Sequence, residues 1–356
     1  MKSRTFITIM TILTLLPTII FANDLWEKGQ ALENDSWEQA IEYYTGISEK
    51  YEDKPLIASK AYERIAHCYT RMGEKLMAAD CYVYACELIE SEKKTKRQQQ
   101  EWMAYAALYY EDARKWELAA ECYIKASELT ENKLFANKYR VNAGRAYEEI
   151  GNFVGAIEVC SLALKNAQNN IERSAIVKDL WKYKLEQARV DTSDGNHNSA
   201  GKQYQNYAQY LFENKREKLG KKYLQESLQA YQKTGNNAEQ ANIYAHLASL
   251  SEERQQYSDA FIFLTACIEA EGQNTPQEQS NNFEQSMRDQ FKRLETFIKQ
   301  FIKVANRSNR SKEALQKIEE VIIQLTDFYS EVDITVSGQK ASKLAKTLSQ
   351  NLHALK

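Results

Sequence analysis

The side chains best able to do chemistry in this chain are four histidines and six cysteines, and they are scattered along it. The histidines are His67, His197, His246 and His353. Neither an H-E-x-x-H pair nor a Cys/His cluster at metal-ligand spacing occurs in the sequence. Glycine-rich phosphate loops and the G-x-S-x-G nucleophile motif are missing as well. The sequence therefore predicts no enzyme, no cofactor and no metal, and a site assembled from distant residues remains an alternative.

The cysteines all lie within helical patterns, at Cys68, Cys81, Cys86, Cys122, Cys160 and Cys267. Cys81 and Cys122 occupy the same position in successive segments, which a helix spacing of about 10 Å would separate beyond disulfide range. No C-x-x-C redox motif is present. The pattern predicts buried free thiols.

Any site must be positioned by helix pairs, because a sequence pattern typical of paired helices occurs three times between Tyr62 and Ala163. Each copy has small and aromatic residues at fixed steps, then a turn, then two alanines that flank a tyrosine or, in the third copy, a cysteine. The copies are Tyr62, Ile65, Ala66, Tyr69, Ala78, Tyr82 and Ala85; Met103, Ala106, Ala107, Tyr110, Ala119, Tyr123 and Ala126; and Arg140, Ala143, Gly144, Tyr147, Ala156, Cys160 and Ala163. Small residues let two helices approach closely.

This spacing resembles the tetratricopeptide repeat, W-x2-L-G-x2-Y followed by A-x3-F, over about two thirds of the chain. The resemblance implies an all-α, right-handed α-solenoid of antiparallel helix pairs with a C-terminal helical cap. Three prolines and twelve glycines in 356 residues agree with an all-α protein. Equivalent alanines, Ala40, Ala78, Ala119, Ala156 and Ala200, recur at intervals of 37 to 44 residues, and intervals above the 34 of a minimal repeat predict lengthened helices.

In the tetratricopeptide family, first-helix residues outside the packing signature line the concave groove. The resemblance therefore implies these partner-binding positions: Arg64, His67, Arg71, Tyr105, Leu108, Asn142 and Arg145. Such a mixed set suits a peptide with acidic and apolar groups, and it would equally keep a helical face soluble. The set lacks the regular Lys/Asn arrangement of repeats that clamp a C-terminal carboxylate, so that ligand is not implied.

Two looser likenesses concern the setting of such a scaffold. The segments Met77–Tyr82 and Leu118–Ala126 look like the vesicle-fusion adaptor SNAP. The run from Ala40 to Pro55 is similar to cell-envelope repeat proteins of outer-membrane assembly and the Tol-Pal system. A cysteine for lipid anchoring does not follow Ala22, which departs from the assembly lipoprotein.

The first 22 residues have the pattern of an export signal. Lys2 and Arg4 precede an uncharged, mostly apolar run from Thr5 to Phe21, and Ala22 offers a small residue for cleavage. The run is short for a bilayer span of about 20 residues, so we favour a cleaved signal peptide over an uncleaved anchor. This predicts a periplasmic or secreted protein.

The C-terminal region after Gly272 reads as a separate helical segment. The predicted divisions are a signal peptide (1–22), a helical solenoid (23–272), a linker (273–282) and an amphipathic segment (283–356). Apolar stripes predict three helices there, one with Met287 to Ile302, one with Leu315 to Tyr329, and one with Leu344 to Leu355. Thirteen Lys/Arg against nine Asp/Glu from residue 283 onward make this segment basic. A cap on the solenoid and a peripheral membrane-binding element are both consistent with it.

Together these features predict a non-enzymatic, exported scaffold that binds a protein or peptide in the concave groove. The net charge of −2 gives no overall attraction to nucleic acid. Peripheral membrane association through the basic C-terminal helices is the alternative. The sequence indicates no oligomeric state.

Overall fold

This chain is rich in helix-forming residues and poor in proline, and it folds into α-helices as the sequence predicts. The computed structural model describes residues 25–274 and 283–331, and within those ranges it contains helices and turns but no strand. The predicted signal peptide, most of the predicted linker and the third C-terminal stripe lie outside the described residues. The chain divides into two compact units, with the division between Lys184 and Leu185.

Unit 1 is a stack of helices joined by short connections. It contains α1 (25–35), α2 (Trp37–Lys50), α3 (Pro55–Met72), α4 (Lys75–Leu88), α5 (Lys96–Asp112), α6 (Trp116–Leu129), α7 (Lys133–Glu149), α8 (Phe153–Lys165) and the first part of α9 (Asn170–Ser193). A 3-10 turn, Lys93–Thr95, precedes α5. From α2 to α8, each helix packs on the next one along the chain. Short connections make such neighbours antiparallel, so the predicted α-solenoid of helix pairs is confirmed.

Unit 2 continues with helices of similar length. It contains the rest of α9, α10 (His197–Glu213), α11 (Glu217–Thr234), α12 (Asn237–Glu253), α13 (Tyr257–Gly272), α14 (Phe283–Arg307) and α15 (Ser311–Glu331). Here the packing alternates, because α10 contacts α11 and α12 contacts α13 far more extensively than α11 contacts α12. The predicted pairing of Tyr244 and Leu247 with Ala260 and Leu264 corresponds to α12 and α13.

Small residues make the helix contacts in unit 1. Ala78, Ala119 and Ala156 have no exposed surface, and neither do Ala66 and Ala107 on the facing helices. In the third pair, a Cβ added at Gly144 would lie 3.1 Å from the Cys160 sulfur. The space beside these contacts is filled by tyrosines, among them Tyr82, Tyr110 and Tyr123. The predicted approach of helices through small side chains is confirmed.

The turns between paired helices share one backbone device. A residue with positive φ lies in the turn between two consecutive helices at Gly73, Arg114, Gly151, Gly195, Lys215, Gly235, Gln255 and Asn309. Five positions after each lies a buried residue, in order Ala78, Ala119, Ala156, Ala200, Gly220, Gln240, Ala260 and Ala314. Four of these turns, at 195, 215, 235 and 255, are 20 residues apart. The sequence pattern looked loose after Ala163 because non-glycine residues occupy half of those turns.

The C-terminal helices pack on the last helix of the preceding series. Both α14 and α15 contact α13. The predicted stripe residues Met287, Phe291, Leu294, Ile298 and Phe301 are buried in one cluster with Leu264, Ile318, Ile322 and Leu325. Within the described ranges, no helix is both long enough and apolar enough to cross a membrane.

All six cysteines are free thiols, and five of them are buried, the exception being the half-buried Cys81. Burial raises the pKa of Cys68 and of Cys86 to about 11. It raises the pKa of Cys122 and of Cys160 to about 12. Since the thiolate is the reactive form, these side chains behave as small core residues.

A bulky residue at a helix contact should destabilise unit 1. We expect Ala119→Trp to lower the free energy of unfolding by about 3 kcal/mol, because α6 has no space for the ring beside α5. Ala175→Trp, at an exposed position of α9, is the matched control and should change it by less than about 0.5 kcal/mol. Denaturant unfolding measures both, and equal midpoints would contradict the packing described.

Candidate functional site

The first helices of the pairs in unit 1 lie side by side, joined by side-chain bonds between helices. The bonds are Arg64 to Glu33 (α3 to α1), Trp102 Nε1 to Glu63 at 3.1 Å (α5 to α3), Gln100 Nε2 to Tyr139 at 2.9 Å (α5 to α7), and Asn137 Nδ2 to Glu172 at 2.7 Å (α7 to α9). We call the exposed sides of α3, α5 and α7 the first-helix face. This face carries all seven predicted partner-binding residues.

The middle of the first-helix face is apolar. Tyr105 and Leu108 lie one turn apart on α5 and are 48% and 49% exposed. The Tyr105 ring lies 5.6 Å from the ring of Tyr82, which also stacks on Tyr109 at 6.1 Å. Packing on one side holds Tyr105 in place while the other side meets solvent. A fixed, half-exposed aromatic of this kind is the residue type that dominates binding energy at protein interfaces.

Arg64 is held by an internal ion pair. Its Nε donates to Glu33 Oε1 at 2.9 Å, and a second guanidinium nitrogen contacts both carboxylate oxygens. Tyr44 Oη donates to the same carboxylate at 2.7 Å. Glu33 is only 9% exposed, so this cluster fastens α1 and α2 to α3. Burial and the bond to Glu33 both raise the pKa of Tyr44.

His67 belongs to the same cluster. Its Nδ1 lies 3.9 Å from Glu33 Oε2, and its ring packs edge-on against Trp37 at 6.3 Å. Burial, and then the positive charge of Arg64, lower the pKa of His67. The lowered pKa favours the neutral imidazole at pH 7. The ring contacts Trp37 of α2 on one side and is partly exposed to solvent on the other.

Arg71 and Arg145 differ from Arg64 because both are exposed and neither has an ion-pair partner among the described residues. Asn142 is half-buried, one turn before Arg145 on α7. Burial raises the pKa of Glu111 on α5, and the nearby Arg145 partly offsets that effect. The first-helix face thus offers an apolar centre on α5 with unpaired cations on α3 and α7.

Sequence reasoning missed Glu33 and Tyr44, the partners that immobilise Arg64. Glu33 follows Leu32 in a short helix, and nothing in the local pattern separates it from the exposed acidic residues nearby. Its role depends on a contact 31 residues along the chain. Only the stacking of α1 on α3 creates that contact.

Groups of three or more potential metal-ligating side chains do not occur in the parts of the chain that the structure describes. An open cleft of about 540 Å³ between α13 and α15 is lined by Phe261, Ile262 and the ion pair of Lys317 with Glu269 at 2.7 Å. Lys317 also pairs with Glu320 at 2.8 Å, so its charge is balanced within the cleft.

Removing the carboxylate that anchors Arg64 should destabilise unit 1. We expect Glu33→Gln to lower the free energy of unfolding by about 2 kcal/mol, since it leaves a partly buried guanidinium without its counter-charge. Glu101→Gln breaks the exposed Arg97–Glu101 pair and should cost less than about 0.5 kcal/mol. Thermal unfolding at pH 7 compares the two, and an equal loss in both would place Glu33 in solvent.

Similarity to known proteins is low by sequence and by structure. No protein-family model matches the sequence, and a search of curated proteins finds no match. Similar solved structures include the apo form of RapI, at 16% identity over 84% of this chain and 98% of that one, with a TM-score of 0.32. The TPR2AB-domain:pHSP90 complex of yeast Sti1 is 14% identical over 82% and 98%, with a TM-score of 0.31. BtubC from P. vanneervenii is 13% identical over 71% and 90%, with a TM-score of 0.29.

At this low similarity, the fold is established by the chain's own packing. Alanines buried at every helix contact of unit 1, first helices bonded side by side, and one repeated turn device are its defining features. The chain has a tetratricopeptide-like α-solenoid fold.

Proposed function

We propose that the chain is a non-enzymatic scaffold that binds a protein or peptide partner on the first-helix face. The observation that carries this proposal is the apolar pair Tyr105 and Leu108, fixed on α5 and nearly half exposed. Arg71 and Arg145, the unpaired cations on the two neighbouring helices, favour a partner that combines an apolar or aromatic anchor with carboxylates.

The seven predicted positions divide into two roles within this proposal. Tyr105, Leu108, Arg71, Arg145 and Asn142 contact the partner. Arg64 and His67 shape the end of the face, because Glu33 holds the first and Trp37 packs on the second. A charge reversal at Arg64 would therefore disturb folding as well as binding, so it cannot serve as a binding test.

A peptide library displayed on phage tests the apolar centre. We expect wild-type protein to select peptides rich in aromatic and acidic residues, and Tyr105→Ser with Leu108→Ser to weaken their binding at least tenfold. Tyr84→Ser with Leu162→Ser is the matched control, because those side chains are 45% and 47% exposed on second helices of the same unit. The proposal fails if no peptide is enriched, or if both double variants lose affinity equally.

We further propose that the scaffold works outside the cytoplasm, in the periplasm or as a secreted protein, after cleavage behind Ala22. The basic start and the apolar run from Thr5 to Phe21 support this. Expression of the full chain in a bacterium, followed by N-terminal sequencing of the exported fraction, should return Asn23 as the first residue. Recovery of an intact chain in the membrane fraction would instead indicate an anchor.

A further inference from the structure

We propose that the turn between α10 and α11 is a binding surface for anionic lipid headgroups. Five of the eight residues from 215 to 222 are basic. We call Lys215, Arg216, Lys218, Lys221 and Lys222 the basic turn. This surface is separate from the first-helix face, so the proposal does not depend on the proposed function.

The charges of the basic turn are not neutralised by other side chains of the described residues. None of its five side chains forms an ion pair with a described residue, and all but the half-buried Lys221 are exposed. One acidic residue, Glu217, lies in the same segment, and it is paired with Arg254. Glu213, two residues before the segment, accepts a hydrogen bond from Gln209 at 3.0 Å. The segment therefore keeps a local positive excess on a chain whose net charge is −2.

Backbone geometry presents these cations together. Lys215 has a φ of 59°, and it ends the turn before α11 begins at Glu217. Gly220 is buried, because it packs so closely on Phe212 that a Cβ there would lie 2.8 Å from the ring. Lys218 and Lys222 lie one turn apart on the opposite, exposed side of α11, with Leu219 between them.

Apolar and aromatic groups border the cations. Leu219 is 37% exposed. Tyr223 packs on Tyr207 at 4.8 Å and on Tyr204 at 6.1 Å, and Lys222 lies 5.7 Å over the Tyr223 ring. Lysines around a solvent-exposed leucine, with tyrosines alongside, have the composition of surfaces that rest in the headgroup region of a bilayer.

Lipid fits these observations better than other anions. Specific carboxylate binding favours arginine with its bidentate geometry, whereas four of the five basic residues here are lysines, which act as point charges. A mobile layer of headgroups needs no fixed geometry, and each lysine or arginine near it contributes about 1 kcal/mol.

The sequence suggested the basic C-terminal helices as a membrane-binding element. The described part of these helices is less suited to binding anionic lipid than the basic turn is. At least six of the nine basic residues in 283–331 are ion-paired. Lys303 and Arg307, for example, share Glu252 of α12. Their charge serves the packing of unit 2.

Partition of the full chain into lipid vesicles tests the proposal. The readout is the ratio of partition coefficients between vesicles with 30% phosphatidylserine and pure phosphatidylcholine vesicles, which cancels any contribution of the apolar run 5–21. We expect Lys215→Gln, Lys218→Gln and Lys222→Gln together to lower this ratio about 100-fold at low salt, from about 1 kcal/mol for each lysine. For the wild-type protein, 0.5 M salt should bring this ratio to about 1, because the salt screens the attraction between the lysines and the anionic headgroups.

The matched control removes three exposed lysines elsewhere, by Lys178→Gln, Lys202→Gln and Lys233→Gln. This variant has the same net charge and should keep a ratio within about threefold of wild type. Equal losses in both variants would mean that overall charge governs binding and would overturn the proposal. So would tighter binding of polyglutamate or duplex DNA than of the anionic vesicles, which would assign the basic turn to an acidic protein or a nucleic acid.

Discussion

Close approach of neighbouring helices at small residues is the constraint on which the structure depends. A residue with positive φ reverses the chain, and the buried residue five positions later, which is alanine or glycine in seven of these eight turns, brings the next helix against its partner. Alanine and glycine allow backbones to approach, so dispersion contacts along both helices replace a central core. Tyrosines beside these contacts, among them Tyr82, Tyr110 and Tyr123, take up the remaining volume.

This architecture leaves part of each first helix free of packing contacts. Each first helix uses its small residues and one or two aromatics for packing, and the remaining positions are left to vary. On α5 those positions became apolar and exposed, at Tyr105 and Leu108. On α3 the position is occupied by Arg64, which takes part in the packing because it forms an ion pair with Glu33 of α1. The same repeat position is therefore exposed to solvent in one pair and part of an ion pair in another.

Charge is organised in the same local way. Most cations of α14 and α15 neutralise carboxylates on their own or neighbouring helices, and Arg310 also lies 3.9 Å over the Phe261 ring. The basic turn between α10 and α11 lacks such partners among the described residues. Composition alone placed the positive character in the C-terminal region, because a count of residues does not distinguish a neutralised charge from a free one.

The sequence by itself determined the helices, the pairing in unit 1 and the residues at its helix contacts, because each of these depends on spacings of three, four or five residues. It also determined which positions lie on the first-helix face. Only the tertiary structure decided which of those side chains are free. Arg64 and Arg71 are both arginines of α3, and the sequence pattern does not distinguish them. Glu33, whose carboxylate lies 31 residues away along the chain, immobilises Arg64. The regular turns of unit 2 were hidden for a related reason, since Lys215 and Gln255 adopt the positive φ that local sequence assigns to glycine.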